Sequence, residues 1–509
     1  MSATEVLRRT AVACNVIETI CNRNLNIKME QRLSCFVDTY TKAIKENNAA
    51  IFAGAGLSIP AGFVDWKNLL RDIAKDLNLD IDKENDLIAI AQYHYNEKGK
   101  NRHRLNQLLI DEFTQGTSVT PNHKILAALP IQTYWTTNYD KLIEKAIEEE
   151  GKTPDAKITQ ENLSINIPRR DAVVYKMHGD LSLPDQAILT KDDYEGYNEK
   201  RPLYTTALQG DLVAKTFLFI GFSFDDPNLE YILSRIRILL GQNQRDHYCF
   251  FKRINRKDFT TETDFHYAEI RYQLKIKDLR RYSINALLID DYSEITEVLS
   301  AIQIKVLRSN IFISGAAKVY DPKTESEVFS FVHKLSYAIS KDKYKIVSGV
   351  GDGIGRIVIS GALEFVFTTK YRHLDDALVL RPFPLAVTGK QSKADRNLEY
   401  RTEMMKHAGI ALFIFGNKDD GKGKWKLSNG MIEDFEVAVK QKVIPIPVGA
   451  TGFASEELWN KVMASPLLYN YPNNPDLLDA LKQIGDKSKT DDELVNQILK
   501  AISILQNNF

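Results

Sequence analysis

The sequence predicts an α/β protein with two doubly wound parallel sheets, each in a domain of its own. Three observations lead to this prediction. Short apolar runs bounded by Gly, Asn or Asp alternate with amphipathic stretches of helical length, a pattern typical of parallel strands that are buried on both faces. This alternation starts again near residue 308. A chain of 509 residues is also too long for one ordinary hydrophobic core.

The first predicted domain covers residues 29–300 and contains strand-like runs separated by helical stretches. The runs are Ala49–Ala53, Gln132–Trp135, Ala172–Tyr175, Thr216–Ile220 and Ala286–Ile289. Amphipathic stretches such as Leu69–Leu79 and Lys141–Glu150 lie between them, and residues 62–130 and 185–215 are helix-rich insertions without strand signals. Residues 1–28 carry no motif and form an N-terminal extension to which we assign no role.

The second predicted domain covers residues 308–509 and repeats the alternation. Its strand-like runs are Asn310–Ile313, Tyr344–Val347, Ala377–Leu380, Gly409–Phe415 and Val443–Val448. We expect the boundary at 290–308, after the turn at Asp290 and a helix that ends near Leu307.

Composition argues against several classes of protein. Lys+Arg and Asp+Glu are equal at 67 each, so no net field recruits nucleic acid or an anionic membrane. The four cysteines form no Cys-x-x-Cys pair, which argues against a disulfide framework and a four-thiolate zinc site, and no metal is expected. Scarce cysteine is typical of a reducing compartment, and the longest apolar runs are too short to cross a bilayer. We therefore expect a cytoplasmic protein with neither a nucleic-acid nor a membrane partner.

A glycine-rich turn follows the first strand directly, as Gly54-Ala55-Gly56-Leu57-Ser58. Glycine allows a tight turn and close approach to a pyrophosphate, whose charge the N–H groups at the start of the next helix would hold. An ordinary strand–helix turn is the alternative, because Gly-x-Gly alone is a weak signal. Three further polar segments follow strands, where a doubly wound sheet places its ligands; they are Thr136–Asp140, Lys176–Asp180 and Gly221–Asn228.

This ordered set of segments resembles the sirtuin family over roughly residues 29–291. Sirtuins bind NAD⁺ with these loops and break the bond between nicotinamide and ribose. The resemblance implies that His178 is the general base and that Asn138 positions the attacking group or the ribose. The other NAD-binding residues that it implies are Ala53, Gly54, Gly56 and Ser58 at the phosphates and ribose, Asp65 at the nicotinamide-end ribose, Asp140 in support of the Asn138 loop, Gly221 and Ser223 at the diphosphate or adenine ribose, and Asp290 near the adenine.

The chemistry suits these residue types. Nicotinamide leaves NAD⁺ as a neutral base, so the leaving group needs no acid, whereas a base is needed to take a proton from water or a ribose hydroxyl. A histidine that titrates near neutrality can do this, and an amide such as Asn138 orients the nucleophile without adding a charge. A structural histidine and a helix-capping asparagine are the alternative interpretations of these two residues.

One departure from the sirtuin pattern bears on the acceptor. Sirtuins that deacylate proteins carry a four-cysteine zinc module, and here residues 153–170 occupy its place without a metal-ligand cluster. Water is therefore the expected acceptor, which makes the activity NAD⁺ hydrolysis, with NAD⁺ as substrate and no further cofactor. A protein deacylase and a non-catalytic NAD- or nucleotide-binding regulator remain the alternatives.

The second half has its own glycine-rich turn, with glycines at 349, 351, 353 and 355. Four alternating glycines after a strand favour an anionic ligand held close to the backbone, because glycine carries an entropic cost that an ordinary loop does not repay. Arg401, at the start of the helix before the run Gly409–Phe415, is a candidate phosphate ligand by its fork geometry. A solvated surface charge is the alternative for Arg401, Lys418 and Glu433.

The order of these segments resembles the SLOG family over about residues 308–509. Related hydrolases carry a glycine run before a catalytic glutamate; here Ser428–Glu433 keeps Glu433 without that run, so ligand sensing is the better interpretation. The signal-nucleotide-binding residues that we predict are Ser314, Gly315, Gly349, Gly351, Gly353, Arg401, Lys418, Gly430 and Glu433.

A sirtuin-like domain followed directly by a SLOG domain resembles the effector family of Thoeris antiphage defence. The resemblance implies that the second domain binds a cyclic ADP-ribose isomer made by a TIR-domain partner protein. Binding would release NAD⁺ cleavage, and loss of NAD⁺ would halt the infected cell by abortive infection. It also implies a homotetramer or a filament.

Overall fold

A seven-stranded parallel sheet organises the first half of the chain. The structure, a computed structural model, describes residues 31–114, 116–351, 353–370, 373–383, 392–421 and 424–507. The strands of this sheet are β1 (Ala49–Ala53), β2 (Thr133–Thr136), β3 (Pro154–Lys157), β4 (Ala172–Lys176), β5 (Thr216–Ile220), β6 (His247–Lys252) and β7 (Ile284–Ile289). Their order is β3-β4-β2-β1-β5-β6-β7, and all neighbours are parallel. The strand order changes direction between β1 and β5, which is where such a sheet forms a ligand crevice beyond its carboxyl ends.

Helices pack around this sheet and fill the two insertions. They are α1 (Gln31–Lys45), α2 (Trp66–Leu69), α3 (Arg71–Asp76), α4 (Leu87–Glu97), α5 (His103–Phe113), α6 (Pro121–Ala128), α7 (Leu142–Glu149), α8 (Lys191–Glu195), α9 (Tyr197–Lys200), α10 (Pro202–Ala214), α11 (Pro227–Leu240), α12 (Glu262–Leu279) and α13 (Ser293–Leu307). β1 is buried at all five positions. Helix α1 buries its apolar stripe and fixes its register on the sheet with a 2.8 Å hydrogen bond from the Tyr40 hydroxyl to the Ala50 carbonyl.

A second parallel sheet organises the rest of the chain. The strands after residue 304 are β8 (Asn310–Ala316), β9 (Lys345–Ser348), β10 (Leu378–Leu380), β11 (Ile410–Phe415), β12 (Asn417–Asp419), β13 (Trp425–Leu427) and β14 (Ile444–Pro447). The sheet order is β10-β9-β8-β11-β14, all parallel, and β12 and β13 form a separate antiparallel pair. The helices are α14 (Glu325–Lys341), α15 (Gly355–Thr368), α16 (Leu374–Ala377), α17 (Lys393–Met405), α18 (Asn429–Lys440), α19 (Phe453–Ala464), α20 (Pro475–Gln483) and α21 (Asp491–Asn507).

The predicted fold class is confirmed, since two parallel α/β sheets follow one another along the chain. Every predicted strand is present, with ends shifted by up to three residues. Strands β3 and β6 and the β12–β13 hairpin were not predicted. Polar and charged residues interrupt the apolar pattern of β3 and of the hairpin, whereas β6 contains an apolar run of only four residues, 248–251, between His247 and Lys252. The predicted position of Arg401 at a helix start is wrong: α17 begins at Lys393, so Arg401 lies in its last third.

The chain divides into two compact units between Gln303 and Ile304, within α13. The first predicted domain ends before this point, at residue 300, and the second begins after it, at residue 308. The predicted extension 1–28 lies outside the described residues. Among the described residues, no helix combines the length and the apolar character that a membrane span requires.

Candidate functional site

A cavity of about 620 Å³ lies in the first unit, beyond the carboxyl ends of β1, β2, β4 and β5. Its volume is in the range of small-molecule and cofactor sites. Most of the predicted NAD-binding and catalytic residues line it together: Gly56, Ser58, Asp65, Asn138, Asp140, His178, Gly221 and Ser223. The four loops therefore converge on one site, as expected for a doubly wound sheet.

Three predicted residues do not line this cavity. Ala53 is fully buried in β1, and the Gly54 carbonyl accepts a hydrogen bond from the Asn138 side chain. Asp290 follows β7 and forms an exposed ion pair with Arg253 at 2.9 Å. Gly54 therefore supports the site through Asn138, whereas Asp290 is not brought to it.

The glycine turn after β1 differs from the expected helix N-terminus. Two short 3-10 turns, Ala55–Leu57 and Ile59–Ala61, replace the α-helix. The Gly54 amide donates to the Ile220 carbonyl and the Gly56 amide donates to the Gly221 carbonyl, both at 2.9 Å. These two amides are therefore engaged with the β5 loop, and the expected phosphate cradle of free N–H groups does not include them.

The glycines are required instead by close packing of two loops. Gly221 has a φ of +65°, and a Cβ added there would lie 2.2 Å from the Leu57 amide nitrogen. A Cβ at Gly54 would lie 2.5 Å from the Gly221 carbonyl oxygen. The loops after β1 and β5 can thus approach each other only when neither carries a side chain at these positions.

Gly221→Ala is therefore expected to lower the free energy of unfolding of the protein by more than about 2 kcal/mol, because it combines a backbone clash with a left-handed conformation. The matched control is Gly210→Ala, in the middle of α10, where an added Cβ meets nothing within 4 Å. Alanine there is expected to stabilise by roughly 0.5–1 kcal/mol. Chemical denaturation of both variants measures the difference; equal stability of the two would contradict the close packing.

Asn138 belongs to a buried hydrogen-bond network. Its Nδ2 donates to the Gly54 carbonyl and to the Ser58 hydroxyl, both at 3.1 Å. Ser58 in turn donates to Asp140 Oδ2 at 2.8 Å, and Asp140 Oδ1 accepts from the Leu142 amide at 2.9 Å. Asp140, rather than Asn138, thus holds the start of α7, and the capping alternative for Asn138 is not observed. The network fixes Asn138 against the glycine turn.

A buried ammonium supports the same loop from below. Lys176, at the end of β4, is fully buried and lies 2.7 Å from Asp180 and 3.4 Å from Glu144. Its Nζ also donates to the Tyr139 and Asp140 carbonyls. Burial favours the neutral amine, but the charges of Glu144 and Asp180 outweigh it and raise the pKa of Lys176. A permanent positive charge therefore holds the backbone of the Asn138 loop.

His178 follows β4 and is almost entirely buried, with 5% of its side chain exposed. Its Nε2 lies 2.9 Å from Asp226 Oδ2, and its ring meets the Tyr194 ring edge-on at a centroid distance of 5.3 Å. Sequence reasoning gave neither Asp226 nor Tyr194 a role. Asp226 stands in a predicted segment, but β4 and β5 are separated by β2 and β1 in the sheet, so only the folded loops bring it to His178.

The helical insertion supplies an apolar wall that no motif predicted. Asp65 caps α2 by accepting from the Asn68 amide at 2.8 Å and faces the cavity beside this wall. The apolar residues that line the cavity from this insertion are Phe63, Val64, Trp66, Leu69, Leu87, Ile88 and Phe113. Such a wall excludes water from one side of a bound ligand and strengthens polar interactions on the other.

Residues 153–170 form strand β3 and a charged cluster. Asp155 is buried and lies 2.8 Å from Lys157 and 2.6 Å from Arg170. Across the described residues, no group of three or more His, Cys, Asp or Glu side chains is arranged to hold a metal ion.

In the second unit, three of the predicted signal residues lie around Arg401: Glu433, Gly430 and, through Asp434, Ser314. The guanidinium is buried, lies 3.1 Å from Glu433 and 3.3 Å from Asp434, and stacks over Phe383 at 4.7 Å. Gly430 leaves room for it, because a Cβ there would lie 2.8 Å from Arg401 Nη2. The alternative interpretation of Arg401 as a solvated surface charge is therefore not observed.

Asp434 was not predicted and lies at the centre of this cluster. Ser314, at the end of β8, donates to its Oδ2 at 2.7 Å. Burial raises the pKa of Asp434 to about 6, although Arg401 and Ser314 oppose the shift. The cluster is therefore a buried cation held between two carboxylates.

The glycines of the second unit are explained in part by loop packing. A Cβ at Gly351 would lie 2.4 Å from the Gly315 carbonyl oxygen, and one at Gly353 would lie 2.3 Å from the Ala317 carbonyl oxygen. A Cβ at Gly349 would lie 2.8 Å from the Phe383 ring. Lys418 lies in β12, opposite Lys426. The loops after β8 and β9 thus pack backbone to backbone, as the loops after β1 and β5 do.

Comparison with known families and proteins agrees with the two-unit organisation. Residues 132–273 match the model of a SIR2-like domain, and residues 294–505 match that of the Sir2- and TIR-associating SLOG family. The chain is 45% identical over 488 residues to the NAD(+) hydrolase ThsA of Cytobacillus dafuensis, covering 94% of this chain and 98% of that protein. It is 45% identical to the ThsA of Acinetobacter baumannii (strain 532279), covering 94% of this chain and all of that protein. Defense-associated sirtuin 2 of Bacillus subtilis is 28% identical over 55% of this chain and 28% of its own length.

Proposed function

The chain belongs to the ThsA family of NAD(+) hydrolases, and on that premise we propose that it cleaves NAD⁺ to nicotinamide and ADP-ribose in the cavity of its first unit. The observation that carries the proposal is the convergence of Asn138 and His178 on one cavity with the glycine turn after β1. Attack on the bond between the pyridinium and the ribose requires a group that positions the nucleophile and a base that takes its proton. The fixed amide of Asn138 and the imidazole of His178, beside an apolar wall, are groups of these two kinds.

The proposed step is balanced without a cofactor. The C1′–nitrogen bond of the nicotinamide riboside breaks, and its electron pair neutralises the pyridinium nitrogen. A water oxygen bonds to C1′, and one proton of that water passes to His178 and then to solvent. Asn138 orients the water or the ribose, while Ser58 and Asp140 hold Asn138 in place. One proton is released for each NAD⁺ consumed.

Product analysis of the purified full chain tests this proposal. Incubation with NAD⁺ is expected to give nicotinamide and ADP-ribose in equal amounts, alone or after addition of cyclic ADP-ribose isomers. Release of nicotinamide only in the presence of an acylated peptide would favour a protein deacylase. Binding of NAD⁺ without any release would favour a non-catalytic regulator.

The second unit is proposed to sense the signal that releases this activity. The ligand would be a cyclic ADP-ribose isomer made by a TIR-domain partner, with its phosphates on Arg401. The support is a buried guanidinium whose present partners, Glu433 and Asp434, are carboxylates that an anionic ligand could replace. Glu433, more than half exposed, is the partner that a ribose hydroxyl would reach.

In the cell, the proposed consequence is defence by NAD⁺ depletion. Phage infection would raise the signal, NAD⁺ would fall, and growth of the infected cell would stop in abortive infection. We also propose that the protein acts in the cytoplasm as a homotetramer or filament. Cellular NAD⁺ measured during infection, with and without the TIR-domain partner, tests the first part; light scattering tests the assembly.

A further inference from the structure

The carboxylate of Asp226 is fixed in place by the chain itself. Asp226 caps α11, and its Oδ1 accepts a 2.9 Å hydrogen bond from the Leu229 amide. Its Oδ2 lies 2.9 Å from His178 Nε2, and only 8% of the side chain is exposed. One oxygen is therefore held by the helix start, and this leaves the other directed at the imidazole.

The contact decides which nitrogen of His178 carries the proton. The two atoms lie 2.9 Å apart without the alignment of a hydrogen bond, so their interaction is one of charge. A carboxylate charge this close to Nε2 favours a proton on that nitrogen. Burial favours the neutral acid, but the charge and contact of His178, together with the Leu229 and Asn228 amides, outweigh it and lower the pKa of Asp226. The Nε2 atom is also buried, so it cannot take a proton from a molecule in the cavity.

We infer that Asp226 is a positioning residue for NAD⁺ cleavage, which holds the His178 proton on Nε2 and leaves Nδ1 as the basic nitrogen. This inference rests on the proposed function of the cavity. It assigns Asp226 a role that no motif indicated, and it assigns the proton transfer to one ring atom. The imidazole would pass between a neutral form protonated on Nε2 and a cation stabilised by the Asp226 carboxylate.

Asp226→Asn separates this role from helix capping. Asparagine is as good a cap as aspartate and can keep the bond to the Leu229 amide. Its amide nitrogen would then face Nε2 and favour the tautomer protonated on Nδ1, which is not a base towards the cavity. We expect kcat for nicotinamide release to fall by at least about 10-fold and by no more than the 10²- to 10⁴-fold that a positioned base contributes, with the melting temperature retained.

The pH profile provides the readout that a structural role would not move. A general base acts only when it is unprotonated, and a neighbouring carboxylate favours the protonated form of an imidazole, so removal of the Asp226 charge acts against protonation of the base. The acidic limb of kcat/KM is therefore expected to move to lower pH by at least about one unit in D226N. The other titratable groups around the site are the same in the wild type and in D226N. Tyr194 is neutral in both, because burial raises its pKa well above the usual value. The remaining groups are the cavity carboxylates Asp65, Asp86, Asp140 and Asp225.

Two further variants complete the test. Asp226→Glu keeps the charge, so its acidic limb should stay near the wild-type position even where its rate falls. Asp80→Asn, at an aspartate cap outside the cavity lining, should match the wild type in rate and profile. An unmoved acidic limb in D226N, or a loss of rate that only accompanies a lower melting temperature, overturns the inference. Failure of the proposed function is recognised separately, because the wild type would then release no nicotinamide.

Discussion

His178→Ala is expected to reduce the rate of nicotinamide release by about 10²- to 10⁴-fold, the usual contribution of a positioned general base. The reason is that no second imidazole or amine lines the cavity: the other ionisable groups there are tyrosines and carboxylates, and an ordinary carboxylate is a weaker proton acceptor than an imidazole. Binding of NAD⁺ should survive, because the glycine turn, Ser58 and Asn138 keep their contacts. The rate is measured by chromatography of nicotinamide under saturating NAD⁺, and binding by calorimetry.

The matched control is His103→Ala, at an exposed histidine at the start of α5 that does not line the cavity. It should cleave NAD⁺ at the wild-type rate. If His178→Ala retains turnover while remaining folded, His178 is not the base. If both variants lose activity together, the effect is one of stability and not of catalysis.

Arg401→Ala is expected to abolish activation while leaving the first unit able to cleave NAD⁺. Truncation of a buried, hydrogen-bonded charge typically costs 2–5 kcal/mol in binding, so the concentration of cyclic ADP-ribose isomer for half-maximal activation should rise at least about 20-fold. Arg401→Lys keeps the charge beside Asp434 but loses the fork, and should recover only part of the response. Dose–response curves of nicotinamide release against a panel of isomers measure the change.

Lys406→Ala removes an exposed charge just beyond the end of the same helix, where Lys406 pairs with Glu403 at 2.8 Å. Its activation curve should overlay that of the wild type. An unchanged curve for Arg401→Ala would mean that the signal binds elsewhere in the chain. A loss of unstimulated cleavage in Arg401→Ala would mean that Arg401 acts on folding or on the resting enzyme.

Much of the fold was predictable because its strands are buried on both faces. β1 and β5 have the predicted bounds. Each has five residues, all of them apolar except Thr216, and a glycine turn follows each strand directly. Edge strand β3 was missed because its sequence, Pro-Asp-Ala-Lys, has no apolar run; its Asp155 and Lys157 are buried by pairing with each other. Burial through charge pairing leaves no periodicity for sequence reasoning to detect.

The site was predictable only as far as local sequence determines it. Polar residues at strand ends indicated Asn138, Asp140 and His178, and the structure brings these to one cavity. Asp226 and Lys176 could not be assigned in the same way, because their roles depend on distances between loops that the strand order sets. The glycines were noticed for a reason different from the one that the structure gives: most of them permit backbone contact between neighbouring loops.

The most direct test of the account is a crystal structure of the His178→Ala protein soaked with NAD⁺, since slow turnover should preserve the dinucleotide. We predict the nicotinamide ribose between Asn138 and position 178, with the diphosphate over the loops after β1 and β5. Difference density for the nicotinamide ribose, separated from the position of the missing imidazole by no more than the width of one water molecule, would support the assignment of His178. A dinucleotide bound outside this cavity, or with its nicotinamide end turned away from position 178, would contradict it.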